Sequence, residues 1–205
     1  MTADPRLERW LEALVAGPGV TAVRDLAEAR RVHVDDALAA AELVRDGPVV
    51  DVGSGGGSPG IPLAAVRPEL HVDLLEAQRR KCSFLASAAA GFPNVAVVCA
   101  RAEEHGRADG REAYGTAVAQ ALAPPPVALE WCLPLVRVGG RVILLAGEVD
   151  LERAAAAAEP VGGGPPEAVA LPGGIRRSLL LVAKVRPTPE RFPRRPGVAR
   201  KRPLA

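Results

Sequence analysis

The apolar positions change period along this chain. Near its start, Leu7, Trp10, Leu11, Leu14 and Val15 recur at helical spacing on one face, and Gly17-Pro18-Gly19 ends the stretch. From about Asp25 to Val44, a second helical face is formed by Leu26, Ala29, Val32, Val34, Leu38, Ala41 and Leu43. The period then shortens. Val49 to Val52 is an apolar run broken only by Asp51 and bounded by Gly47-Pro48 and a glycine cluster, which predicts a short strand. Pro59 and Pro62 suit the first turn of a helix, where a missing N–H costs little; that helix runs to about Val66. Val72 to Leu75 predicts the next strand, closing on Glu76.

The alternation continues downstream. A helix anchored by Phe84 and Leu85 follows the basic run Arg79-Arg80-Lys81, and strands are expected at Val95 to Cys99, Gly115 to Ala119 and Arg141 to Leu145. Between the last two lies a helix from Val127 to Val136, ended by Gly139-Gly140. An alanine-rich helix, Asp150 to Glu159, precedes a glycine–proline loop. A closing hairpin is expected from Glu167 to Leu171, the turn Pro172-Gly173-Gly174, and Ser178 to Val185. Strands alternating with helices imply an α/β fold with a mostly parallel sheet and one antiparallel strand at its end. Three stretches follow: a helical N-terminal segment (1–46), an α/β core (47–186) and a Pro/Arg-rich tail (187–205).

The chemistry concentrates between Val49 and Glu76. Gly53, Ser54, Gly55, Gly56 and Gly57 follow the first strand, and such a turn leaves room for a ligand against the main chain. Strand, glycine turn, helix, and a strand ending in a carboxylate make one nucleotide-type βαβ unit, and Glu76 can accept both hydroxyls of a ribose. Gly55, Gly57 and Gly60 spell a dinucleotide fingerprint, but it starts three residues after the strand. The other register, Asp51-x-Gly53-x-Gly55-x-Gly57, starts on the strand end and is the pattern of S-adenosylmethionine (SAM) sites. Asp51 discriminates: a carboxylate at the strand tip repels a pyrophosphate but suits a cationic amino acid and a sulfonium. A glycine turn holding no cofactor is the remaining reading. Ala102-Glu103-Glu104 lies where ligands bind in open α/β sheets; in class I methyltransferases this place meets the adenine, and a plain acidic loop is the other reading. Gln120 leads into the loop that faces the substrate, Ala121-Leu122-Ala123-Pro124-Pro125-Pro126. That loop has neither the polar-Pro-Pro-aromatic motif of amino-group methyltransferases nor a Pro-Cys nucleophile.

Composition narrows this further. Aromatics are 3% of the 205 residues, so the core is built of Ala, Val and Leu. The tail from Arg186 carries seven Arg/Lys against one Glu, while the rest of the chain is net acidic. Prolines exclude a regular helix in the tail. A disordered solubilising segment and a phosphate-binding arm both fit it. Cys82, Cys99 and Cys132 lack C-x-x-C spacing and read as reduced thiols of a cytoplasmic protein. His33 and Asp36, three apart, are expected to share a helix face. No histidine or cysteine spacing suggests a metal, and no long apolar span or signal peptide is present.

Together these segments resemble the RsmG family, also called glucose-inhibited division protein B, from about Val20 to Leu204. The resemblance rests on Val23-Arg24-Asp25 and His33-x-x-Asp36-x-Leu38, on Asp51 through Ala64, and on Asn94-Val95 with Arg101 through Glu104. It continues in Ala123-Pro124 with Leu129-Glu130, and in Pro193 through Gly197 with Lys201 through Leu204. It implies a class I SAM-dependent methyltransferase: a Rossmann-like, seven-stranded sheet that methylates N7 of one guanine in 16S ribosomal RNA. On that reading Asp51, Gly53, Ser54, Gly55, Gly57, Ser58, Glu76, Ala102, Glu103 and Gln120 serve the cofactor, with Gln120 also near the substrate. Arg194, Arg195, Arg200, Lys201 and Arg202 serve the RNA of the small ribosomal subunit. No residue is assigned to proton transfer, and a monomer is expected. Three positions depart from the family's habit: Ser58 where a large apolar residue is usual, Gln120 where arginine is usual, and Ala146 where lysine is usual. A methyltransferase of another substrate, or a ribosome-binding paralogue without turnover, are the alternatives.

Overall fold

The computed structural model describes residues 4–171 and 178–205. Helix α1 (Pro5–Ala16) starts at Asp4, whose side chain accepts from the Arg6 N–H. Asp25 caps α2 (Leu26–Arg30) in the same way through Glu28. The helix expected from Asp25 to Val44 is not continuous: a π turn (Arg31–Asp35) separates α2 from α3 (Asp36–Glu42). Then follow β1 (Val49–Val52), α4 (Gly60–Val66), β2 (Val72–Glu76), α5 (Arg79–Ala88), β3 (Val95–Cys99), α6 (Ala102–His105), β4 (Tyr114–Gln120), α7 (Pro125–Cys132), β5 (Val136–Ala146), α8 (Leu151–Ala158), β6 (Gly163–Ala170), β7 (Ser178–Lys184) and α9 (Val198–Lys201).

The seven strands lie in the order β3-β2-β1-β4-β5-β7-β6. β1 pairs in parallel with β2 and β4, β3 with β2, and β5 with β4, while β7 runs antiparallel to β5 and to β6. Strands sandwiched between helices are buried on both faces, which explains their continuous apolar runs. Val49, Leu74, Val118, Ile143 and Leu179 pack with Trp10, Ile61 and Leu85 on one face. Their neighbours Val50, Leu75, Ala117, Val142 and Leu180 pack with Leu129, Ala154 and Phe192 on the other.

Several expectations are corrected. The helix expected to reach Val136 stops at Cys132 and tightens into a 3-10 turn, Leu133–Leu135. Pro134 has no N–H to continue the α ladder. Gly139-Gly140 does not end a helix but lies within β5. A Cβ on Gly140 would sit 2.4 Å from the Gly115 carbonyl, so only glycine allows the close approach of β5 to β4. The expected hairpin turn at Pro172-Gly173-Gly174 lies outside the described residues. The tail contains one helical turn, α9, between Pro196 and Pro203. Cys82 and Cys99 are not free thiols: they form a disulfide, with Cα atoms 5.9 Å apart. β3 lies beside β2, and α5 begins three residues after β2 ends, so the topology brings the two cysteines together. Cys132 remains free and buried.

Candidate functional site

The glycine loop is held from three sides. Below it, Asp51 is fully buried. Its Oδ2 accepts from the Gly60 N–H at 3.0 Å, and its Oδ1 has no hydrogen-bond partner among the described residues. Burial pushes the Asp51 carboxyl up to about 7, against the opposing pull of the Gly60 N–H. Beside it, Glu76 Oε2 accepts from the Gly55 N–H at 3.0 Å, and Oε1 from the Gln78 N–H at 2.8 Å. Above it, the Trp10 indole donates to the Gly56 carbonyl at 2.8 Å. Gly53, Gly55 and Gly57 all have positive φ, at 71°, 55° and 102°. At Gly55 an added Cβ would meet nothing closer than 3.8 Å, so the main chain there borders open space.

Two cavities border this loop, and a third lies beside them. The first, about 510 Å³, lies at the ends of β2 and β3, lined by Glu76, Gln78, Lys81, Ala102, Glu103 and Trp131 among others. The second, about 430 Å³, lies beyond β4 and β5 and includes Arg31, Asp36, Gln120, Leu145 and Gly147. A smaller one, about 240 Å³, holds Gly55, Ser58, His33 and Gln120. Ala121 lines all three. It adopts φ 49°, a left-handed backbone uncommon for alanine, at the point where the cavities meet. These cavities share Ala121, and together they make up a trench that holds a carboxylate beside a glycine loop and an apolar hollow at the end of β4. Its size suits a nucleoside cofactor with a second reactant alongside.

A family model described as rRNA small subunit methyltransferase G matches residues 7–161. The ribosomal RNA small subunit methyltransferase G of Moorella thermoacetica is 41% identical over 197 residues, covering 90% of this chain and 82% of that protein. That of Symbiobacterium thermophilum is 41% identical over 215 residues, covering 97% and 86%. The chain belongs to the methyltransferase G family. Solved structures agree in fold. The SAM-dependent methyltransferase SibL, in apo form, superposes with a TM-score of 0.64 at 16% identity, covering 86% of this chain and 62% of its own. The 16S rRNA N2 G1207 methyltransferase of T. thermophilus, solved with AdoMet and guanosine, gives 0.52 at 21% identity, covering 69% and 36%.

Against this family's expected site, Gly53, Glu76, Ala102 and Glu103 line the large cavity at β2 and β3. Ser54, Gly55 and Ser58 line the small one, and Gln120 lines both the small cavity and the hollow beyond β4. Gly57 instead packs on Trp10 and Ile61. Asp51 does not reach the trench to attract a cation directly; it braces the loop from beneath through Gly60. His33 falls in the π turn and Asp36 begins α3. His33 lines the small cavity and Asp36 the hollow beyond β4. The His33 imidazole is held below its ordinary range by burial.

The tail's cations separate into two groups. Arg194 forms an ion pair with the buried Glu130, its Nε donating to Oε1 at 2.7 Å, and its path is fixed by Arg107 and Arg111 donating to the Pro193 and Phe192 carbonyls at 2.8 Å. The Arg200 guanidinium lies 5.2 Å from the Trp131 ring centre. Arg195, Arg200, Lys201 and Arg202 are exposed. Trp131 and Gly197 carry no sequence signal for the cofactor, and Lys81 only its place in the helix start directly after Glu76, yet all three line the large cavity. For Trp131 and Gly197, contact across 66 residues leaves no local pattern. Among the described residues no cluster of metal ligands occurs, and no helix is long and apolar enough to cross a membrane.

Proposed function

We propose that this protein transfers the methyl group of SAM to N7 of one guanine in 16S ribosomal RNA. The observation that carries this is that the cavity beside Glu76 and the hollow beyond β4 share Ala121, in a chain of the methyltransferase G family. Glu76, already oriented by the Gly55 and Gln78 N–H groups, faces one end, and Gln120 and Ala121 stand at the junction with the hollow beyond β4. The residues fit the cofactor. Glu76 would take the ribose hydroxyls, Ala102 and Glu103 would border the adenine, and the open main chain at Gly55 would lie against the amino-acid end. Bound SAM supplies an activated methyl group.

Guanine N7 carries a lone pair in the neutral base, so no side chain has to remove a proton. The chain's work is to hold two reactants in line and exclude water, which in well-oriented systems supplies roughly 7–11 kcal/mol of a barrier. The apolar lining from Ala119 to Ala123 with Leu144 and Leu145 suits a purine face. The Gln120 and Ala121 main chain, at the meeting point of the cavities, orients the base. Carbonyl groups there ease the positive charge that develops on the ring. Arg195, Lys201 and Arg202 are placed on ribosomal RNA phosphates. The same reading makes the protein a cytoplasmic monomer acting on the small ribosomal subunit.

The test is transfer of labelled methyl from SAM to small subunits from a host lacking the N7-methylguanine mark, with the labelled base mapped. Label at N7 of a single guanine is expected. Label on another atom or on protein, or no label despite SAM binding, overturns the assignment.

A further inference from the structure

The large cavity has a wall that does not come from the sheet. Gly197 and Arg200 of the tail line it together with Trp131 of α7. Three contacts fix this wall. The Gly197 N–H donates to Glu103 Oε1 at 3.2 Å, and Glu103 is itself buried. The Arg200 guanidinium stacks over the Trp131 ring and donates to the Leu122 carbonyl at 3.4 Å. Leu122 in turn covers the glycine loop: a Cβ on Gly53 would lie 2.4 Å from its Cδ1. Ala199 is buried against Val127 and Trp131. The Trp131 indole nitrogen is buried with no acceptor among the described residues, although a buried donor ordinarily has one.

The upstream anchors make this a fixed structure and not a chance contact. Arg194 is neutralised by Glu130, and the chain around Phe192 and Pro193 is held by two arginines, so the tail arrives at the cavity on a set path. Gly197 turns there in the left-handed region, φ 82°. Arg194 is thereby paired with a buried carboxylate, while Arg200 lies over Trp131 and remains exposed.

We propose that residues 197–200, with Trp131, form the outer wall at the purine end of the cofactor cavity, so that cofactor affinity and tail order depend on each other. The inference rests on the cofactor reading above. The ligand chemistry is that of an adenosyl ring: a flat π system beside a guanidinium and an indole. Linkage requires reciprocity: if the ordered tail strengthens cofactor binding, bound cofactor must order the tail by the same factor.

The experiment measures S-adenosylhomocysteine binding calorimetrically to the full chain and to its Arg200→Ala and Trp131→Phe variants. Trp131→Phe keeps an aromatic ring under Arg200 and removes the N–H together with the second ring of the indole. In parallel, the native chain is digested with trypsin with and without the same ligand, and cleavage at Arg200 and Lys201 is followed by mass. Arg200→Ala is expected to weaken binding by about fivefold, the scale of a partly exposed cation–π contact. Trp131→Phe is expected to weaken it by a similar factor, and ligand should slow cleavage of the native tail. Both variants binding within about twofold of native, with tail cleavage unchanged by ligand, overturns the proposal and leaves the cofactor reading intact. No binding to the native chain removes the cofactor reading itself. The digestion uses only native protein, so it decides even if a variant fails to fold.

Discussion

Ser58 and Gln120 meet across the trench, with Ser58 Oγ 2.8 Å from Gln120 Oε1. The same hydroxyl lies 2.9 Å from the His33 carbonyl, and Gln120 Nε2 donates to the Val32 carbonyl at 2.9 Å. A hydroxyl has one proton, so Ser58 serves one acceptor at a time. Together Ser58 and Gln120 tie the end of β4 and the glycine loop to the π turn, at the place where an interrupted helix leaves carbonyls to be satisfied.

A double-mutant cycle tests this tie. Ser58→Ala and Gln120→Ala are each expected to destabilise the protein, and the two losses should fail to add by about 1 kcal/mol, as for residues in one hydrogen-bond network. Denaturant midpoints of the four proteins measure it. Losses that add within about 0.3 kcal/mol would show two independent sites.

Asp51 makes stability depend on pH in an unusual sense. Its folded carboxyl titrates at about 7, above the ordinary 3.8. Between those values the folded state holds a proton that the unfolded state has lost, so stability falls as pH rises from about 4 to 7. Asp51→Asn removes this dependence. The variant is expected to gain on the native chain by an amount on the order of a few kcal/mol on going from pH 5 to 8. A difference between the two proteins that stays constant across that range would contradict it.

Two neighbouring arginines should behave differently. Arg194→Ala leaves Glu130 buried without its cation, and a loss of about 3 kcal/mol in stability is expected. Arg195 is exposed, so Arg195→Ala should leave the melting temperature alone and reduce the salt dependence of RNA binding by about one ion. Melting curves and salt titrations separate the two. Equal effects of the two variants on stability would be the contrary result.

The Cys82–Cys99 bond closes a loop of sequence separation 17. Reduction should lower stability by about 3 kcal/mol on loop-entropy grounds. Alkylation of the unfolded, unreduced chain should label only Cys132, and all three cysteines after reduction. Three labels without reduction would mean the bond does not form.

Where the site lies was written in the local order of the chain. The run Val49–Val52, the glycines after it and Glu76 at the next strand's end could be placed before any coordinates, because strand, turn and helix depend on near neighbours. The expected pairing of the two helical faces with a mostly parallel sheet follows from the same periodicity. The π turn at Arg31–Asp35 was not legible, since Val32 and Val34 fit a regular helix equally well; it is the contacts of Ser58 and Gln120 that hold the break.

Long-range contacts decided the rest. Asp51 sits on the strand tip as the pattern requires, but only the packing of Gly60 and Leu74 shows that its carboxylate points beneath the loop and not into the trench. The tail's charge was visible in its composition, yet composition cannot say which arginine meets a buried Glu130 and which meets water. The sequence by itself determined the fold and the place of the glycine loop and its carboxylate, because hydrophobic period and turn chemistry are local. Tertiary structure alone decided which charges are neutralised, which cysteines are joined and which segment walls the cavity. Each of those depends on distances between residues far apart in the chain, to which local pattern is blind.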